Sequence, residues 1–256
     1  MKAVFIFLAF SVVAGIAAAG VAITQELRQS SVTEQPITET TILPTVTPTA
    51  SPTPTPTPTF TPLTLINHSV PFVSQAPEQQ WSNPVFQDAC EEASILMAAH
   101  WLQGGTPITP PAATQSILDI VEFEKELIGE WRDTSAQDSA RLMREYYKTE
   151  NVEVVENITV AGIKEEIYGG NIVIMPTNGR LLGNPNFNAP GPEYHMIVIK
   201  GYDPATREFI TNDPGTRLGA DYRYTEDTIF NAIRNYNTGY HLGATPVPKT
   251  VIVVSR

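Results

Sequence analysis

Residues from about 67 to 256 predict a single α+β domain, a helical half facing an antiparallel sheet half. Two observations point there. Helix-period stretches crowd the first part of this region, and strand-like runs crowd the second. The region is also long enough to bury a core without disulfides, and the whole chain has a single cysteine, Cys90.

The elements follow in order. Met1-Lys2 precedes an uncharged run from Ala3 to Ile23. That run exceeds the ~7–15 residues of a signal h-region and approaches the ~20 that span a bilayer. Ala17-Ala18-Ala19-Gly20 offers small residues to a signal peptidase, yet the length favours a retained anchor over a cleaved signal. Either outcome places the remainder outside the cytoplasm. Residues 24 to 66 include the alternating run Ser51-Pro52-Thr53-Pro54-Thr55-Pro56-Thr57-Pro58-Thr59. Such a run can form neither a helix nor a sheet ladder and reads as an extended polyproline-II stalk. At ~3.1 Å per residue it could hold a domain up to on the order of 100 Å from a membrane.

Within the domain, Val70 to Val73 reads as a short edge strand that tolerates Pro71. Asp88 is placed to cap a helix running to about Gln103 and stopping at Gly104-Gly105. Further helices are expected over about Ala112 to Glu126 and Ser135 to Thr149. A strand at Val152 to Val155, a helix at Val160 to Tyr168 and a strand at Asn171 to Met175 follow. The segment Gly179 to Pro192 is a long loop rich in Gly, Asn and Pro, and loops of that length in a domain are usually functional. Strands are expected at Tyr194 to Gly201, Arg207 to Thr211 and Thr250 to Val254, with a helix over Tyr224 to Tyr236.

Cys90 opens the first long helix. A helix N-terminus carries roughly +0.5 of an elementary charge, a field that favours the reactive thiolate. His195 begins a strand directly after the long loop, where an imidazole can be reached from a cleft. Asp213 ends the next strand, so a hairpin brings a carboxylate beside the imidazole. Gln75 and Gln87 each offer a side-chain amide for a developing oxyanion. Gln75 is preferred, because Gln87 is only three residues before Cys90. The long loop and Trp81 are expected to line the cleft.

Four segments carry a resemblance: Val70-Pro71-Phe72-Val73-Ser74-Gln75, Asp88-Ala89-Cys90-Glu91-Glu92-Ala93-Ser94, Tyr194-His195-Met196-Ile197-Val198-Ile199-Lys200-Gly201-Tyr202-Asp203 and Asn212-Asp213-Pro214-Gly215. They are similar to the peptidase C39-like family, papain-fold domains related to the peptidases that process bacteriocin leaders. The resemblance implies a papain-like cysteine peptidase fold, with Cys90 as nucleophile, His195 as base, Asp213 as orienting group and Gln75 as oxyanion donor. The chain order Cys, His, Asp is the one that fold requires. One departure is Glu91, where the family often has Gly. A carboxylate there opposes thiolate formation unless it points to solvent.

The implied activity is hydrolysis of peptide bonds by an exported enzyme through an acyl-enzyme. A cell-wall amidase or transpeptidase using the same triad, and a non-catalytic surface binding module, are the alternatives. A peptide or protein is the expected partner, and no cofactor is implied. The net charge of −11, with no basic patch interleaved with aromatics, argues against nucleic acid. It leaves the N-terminal segment as the only membrane contact. There is no His-Glu-x-x-His and no cysteine cluster for zinc, and no phosphate loop.

Overall fold

A computed structural model describes residues 64–243 and 248–256. The expected anchor and the Thr/Pro-rich run lie outside the described residues. Among the described residues no helix is long and apolar enough to cross a membrane.

The elements are β1 (Ile66–Asn67), α1 (Pro84–Gln87), α2 (Cys90–Leu102), α3 (Pro110–Ile128), α4 (Ala136–Tyr147), β2 (Val152–Glu156), α5 (Val160–Tyr168), β3 (Ile172–Thr177), α6 (Gly179–Leu182), β4 (His195–Asp203), β5 (Glu208–Asn212), β6 (Tyr222–Thr225), α7 (Glu226–Ala232) and β7 (Thr250–Val254). Local chemistry sets many of the boundaries. Pro110 and Pro111 occupy the first turn of α3, where a missing N–H costs nothing, and Gly129 ends that helix at φ 87°. The hydroxyls of Ser135, Thr159 and Thr225 accept main-chain N–H bonds at the starts of α4, α5 and α7.

The strands form one antiparallel sheet in the order β2-β7-β3-β4-β5-β6, with β1 pairing β4. The expected α+β architecture is therefore present, with α2, α3 and α4 leading and the sheet following. The tertiary structure adds that both faces of the sheet are covered. On one face Met196 and Val198 of β4 join a core with α2, α3 and α4. On the other face Ile197 and Ile199 join a second core with α5 and α7. This alternation is the period-2 pleat of a strand buried on both sides.

Helix α2 is buried almost all round, only His100 and Leu102 escaping. It packs on β4, α3 and α4. Its pairing with the sheet is keyed by Ser94, whose Oγ donates to the Met196 carbonyl at 3.3 Å.

Three expectations need correcting. Val70 to Val73 is not a strand. Its carbonyls at Val70 and Pro71 instead accept from the Asn212 side-chain amide at 3.1 and 3.3 Å, because Pro71 has no N–H to give a ladder. The short strand of this region is β1, which pairs with β4 and begins one residue inside the expected linker. Its close approach needs Gly201, where a Cβ would stand 2.3 Å from the Ile66 carbonyl oxygen. Asp88 does not cap α2; it ends α1, and Ala89 precedes α2 without a side-chain cap. Finally, Tyr224 lies in a strand. The Tyr222-Arg223-Tyr224 alternation pairs with β5, and the helix runs only from Glu226 to Ala232, short of Tyr236.

Candidate active site

Helix α2 and strand β4 set the site. Ser94 docks on Met196, and Cys90, one helical turn earlier, lines the same cleft as His195, with its Sγ bonded to Glu91 and not to the His195 ring. Tyr236 ties the two elements together. Its hydroxyl donates to Glu91 Oε1 at 2.5 Å and also reaches the His195 carbonyl at 3.4 Å. Cys90 and His195 line one open cleft of about 820 Å³. Gln75, Trp81, Arg180, Phe187 and Pro192 line it too, so Trp81 and the 179–192 segment stand at the cleft as expected, although that segment is not all loop: it opens with α6.

The β4–β5 hairpin brings Asp213 to His195, and Asp213 Oδ1 meets His195 Nε2 at 2.8 Å. Both side chains are buried. With Nε2 held, Nδ1 is the ring nitrogen left for another partner. Asp213 is itself held firmly. Oδ1 also accepts from the Gly215 N–H at 3.1 Å, and Oδ2 accepts from Tyr224 at 2.6 Å and Asn184 at 3.3 Å. Burial alone would push this carboxyl up. The His195 charge and these hydrogen bonds outweigh burial and hold it below the usual carboxylate range.

Two close contacts fix the imidazole. Phe187 meets it edge to face, with ring centroids 5.4 Å apart. Gly215 lies against it so closely that a Cβ would fall 2.8 Å from His195 Cε1.

Gln75 lies in the same cleft, but its amide nitrogen donates to the Phe86 carbonyl at 3.1 Å and the Gln87 carbonyl at 2.8 Å. One of these bonds must open before Gln75 can serve an oxyanion. Gln87 donates to the Trp81 carbonyl at 2.9 Å and also lines the cleft.

The expected thiolate is not the resting state. Cys90 is 5% exposed, and its Sγ donates to Glu91 Oε2 at 2.9 Å. Burial pushes the thiol well above its ordinary value, and the Glu91 charge and hydrogen bond add to that. The favourable end of the helix is thus overridden by a carboxylate facing inward. Glu91 does not point to solvent; it is 1% exposed.

Sequence reasoning passed over Tyr224, Asn184 and Tyr236. The Tyr-Arg-Tyr alternation was the available signal for Tyr224. Asn184 reads as turn chemistry, and nothing local marks Tyr236. His241 also lines the cleft and stacks on Tyr194, with ring centroids 5.2 Å apart.

Among solved structures, a chain described as a C39-like peptidase from Bacillus anthracis is similar, at 15% identity and a TM-score of 0.47. The match covers 75% of this chain and 98% of that one. No curated protein sequence matches. The model of the Peptidase_C39 like family matches residues 68–241, a span that holds every residue of the cleft described above. With well over half its length matched, the chain belongs to the peptidase C39-like family.

Proposed function

We propose that this chain is a cysteine peptidase working through Cys90, His195 and Asp213, and displayed outside the cytoplasm by its N-terminal segment. The observation that carries the proposal is the 2.8 Å contact between His195 Nε2 and Asp213 Oδ1 at the edge of the cleft that Cys90 also lines. It is the geometry that leaves one imidazole nitrogen for the thiol and orients it.

In the proposed cycle the Cys90 proton passes to His195 Nδ1 as the sulfur attacks the peptide carbonyl. The imidazolium then gives that proton to the leaving amine, and a thioester remains. His195 next takes a proton from water, the hydroxide attacks the thioester, and the carboxylic acid leaves as the proton returns to the sulfur. The Cys90 N–H, in the first turn of α2 where a helix offers it no acceptor of its own, is one donor to the oxyanion, and Gln75 is the second once its amide turns from the α1 carbonyls.

Hydrolysis of a pool of unstructured peptides tests this. Wild type should cleave, Cys90→Ala should lose all cleavage, and Asp213→Ala should lose a factor of roughly 10²–10⁴. Cleavage that survives Cys90→Ala rules the proposal out. The uncharged run at residues 3–23 and the Thr/Pro-rich run behind it support display on an anchor. Protease added to intact cells should therefore release the domain, and protection of the domain would count against export.

A further inference from the structure

Glu91 touches the nucleophile on one side and the histidine strand on the other. Its Oε2 accepts the Cys90 thiol at 2.9 Å, and its Oε1 accepts the Tyr236 hydroxyl at 2.5 Å. The same hydroxyl reaches the His195 carbonyl at 3.4 Å. All three side chains are buried. The other ionisable groups facing Glu91 are Glu92 on the same helix, Glu124 of α3 and Asp133 in the loop after α3. None of these can be a cation. A thiolate at Cys90 and a carboxylate at Glu91 would set two negative charges side by side, and the groups of the cleft able to carry a positive charge, His195, His241 and Arg180, belong to other elements.

We propose that Glu91 is a positioning residue that shares the thiol proton with Cys90 and holds the nucleophile neutral until substrate fills the cleft. This rests on the assignment of Cys90 and His195 under Proposed function. Above about pH 7 the pair keeps one proton and one negative charge. At rest the proton is on sulfur, and the S–H bond points at Oε2. On attack the S–H···Oε2 contact breaks, the proton passes to His195 Nδ1, and the sulfur electron pair goes to the carbonyl carbon. Glu91 stays ionised and keeps its bond from Tyr236. The Glu91 carboxyl, raised by burial to about 7 against the hydrogen bonds it accepts from Cys90 and Tyr236, supports the sharing.

The rate of iodoacetamide alkylation against pH, measured on the full chain, tests the proposal. Glu91→Gln removes the competing charge, so the thiolate midpoint should fall by at least about one pH unit. The rate at pH 7 should then rise about tenfold. An unchanged midpoint in a folded Glu91→Gln protein overturns the role of Glu91. Tyr236→Phe is the second variant. It removes a donor that stabilises the Glu91 charge, so the lower inflection of the profile should move to higher pH. An unmoved inflection also overturns the proposal. His195→Ala separates this from the triad. A shift in His195→Ala without one in Glu91→Gln leaves the Cys90–His195 pair and overturns proton sharing. A shift in Glu91→Gln without one in His195→Ala keeps the sharing and overturns the pair.

Discussion

Gly215 shows how little space the site leaves around its imidazole. A Cβ there would lie 2.8 Å from His195 Cε1 and 3.1 Å from Nε2. No flexible side-chain end can give way on that side, because Phe187 is also within 3.1 Å. Gly215→Ala should therefore push the ring off Asp213. We expect kcat to fall by roughly 10²-fold, the effect of misplacing a reacting group by about an ångström, with a loss of stability of about 1–3 kcal/mol from the overpacking. A loss confined to KM would show that the ring had not moved. At this scale the sequence was informative where local context carries meaning. Cys90 at a helix start, His195 at a strand start and Asp213 after the next strand were each legible from their flanks. The inward turn of Glu91 was not, since a carboxylate in a helix is ordinarily a solvated one.

The junction of β6 and α7 is held by an ion cluster in which Glu226 draws partners from α5, β4 and the β4–β5 turn. Glu226 accepts from Lys164 of α5 at 2.9 Å, from Tyr202 of β4 and from Arg207 in the β4–β5 turn. Burial works against its ionisation, but these donors hold the carboxyl at about 2. A depressed acid contributes stability above its unfolded value near 4.3, and that contribution is lost as pH falls through about 2. Glu226→Gln should cost about 1–3 kcal/mol in urea unfolding at pH 7 and less than that at pH 2.5. Equal losses at both values would show that packing, not charge, is what the carboxylate supplies. Period and capping residues made most elements readable. They failed at Val70 to Val73 and at Tyr224, where the partner decides: Asn212 supplies side-chain bonds to the first, and β5 supplies a ladder to the second.

Over the whole domain the buried carboxyls set an unusual pH dependence. Burial raises Glu91 to about 7 and Glu124 to about 8, and drives Glu92 well above its ordinary value. Thr134 donates to Glu124 at 2.6 Å, and neither oxygen of Glu92 has a hydrogen-bond partner. Each of these acids binds more protons folded than unfolded between about pH 4.3 and its folded value. Their contribution is full below pH 4.3 and is lost as pH rises through about 7 to 8. The unfolding midpoint in urea should thus rise as pH is lowered from 8 to 5, by up to about 1 kcal/mol per pH unit per group. Glu124→Gln should flatten that slope. A midpoint that climbs steadily from pH 5 to 8 would mean that these carboxyls are ionised in the folded state.

Sequence by itself determined the α+β class, the order of helices before strands, the family resemblance and the places of Cys90, His195 and Asp213 at the ends of a helix and two strands. Those properties are local: periodicity, caps, turn residues and the flanks of a motif are written within a few positions of each other. Only the tertiary structure decided that both faces of the sheet are covered, that Tyr224 and Asn184 grip Asp213, and that the first turn of α2 faces inward with its two glutamates. The physical reason is that burial is a property of what packs against a residue. Tyr236 and Glu91 are far apart along the chain, and only folding makes them neighbours with a 2.5 Å hydrogen bond.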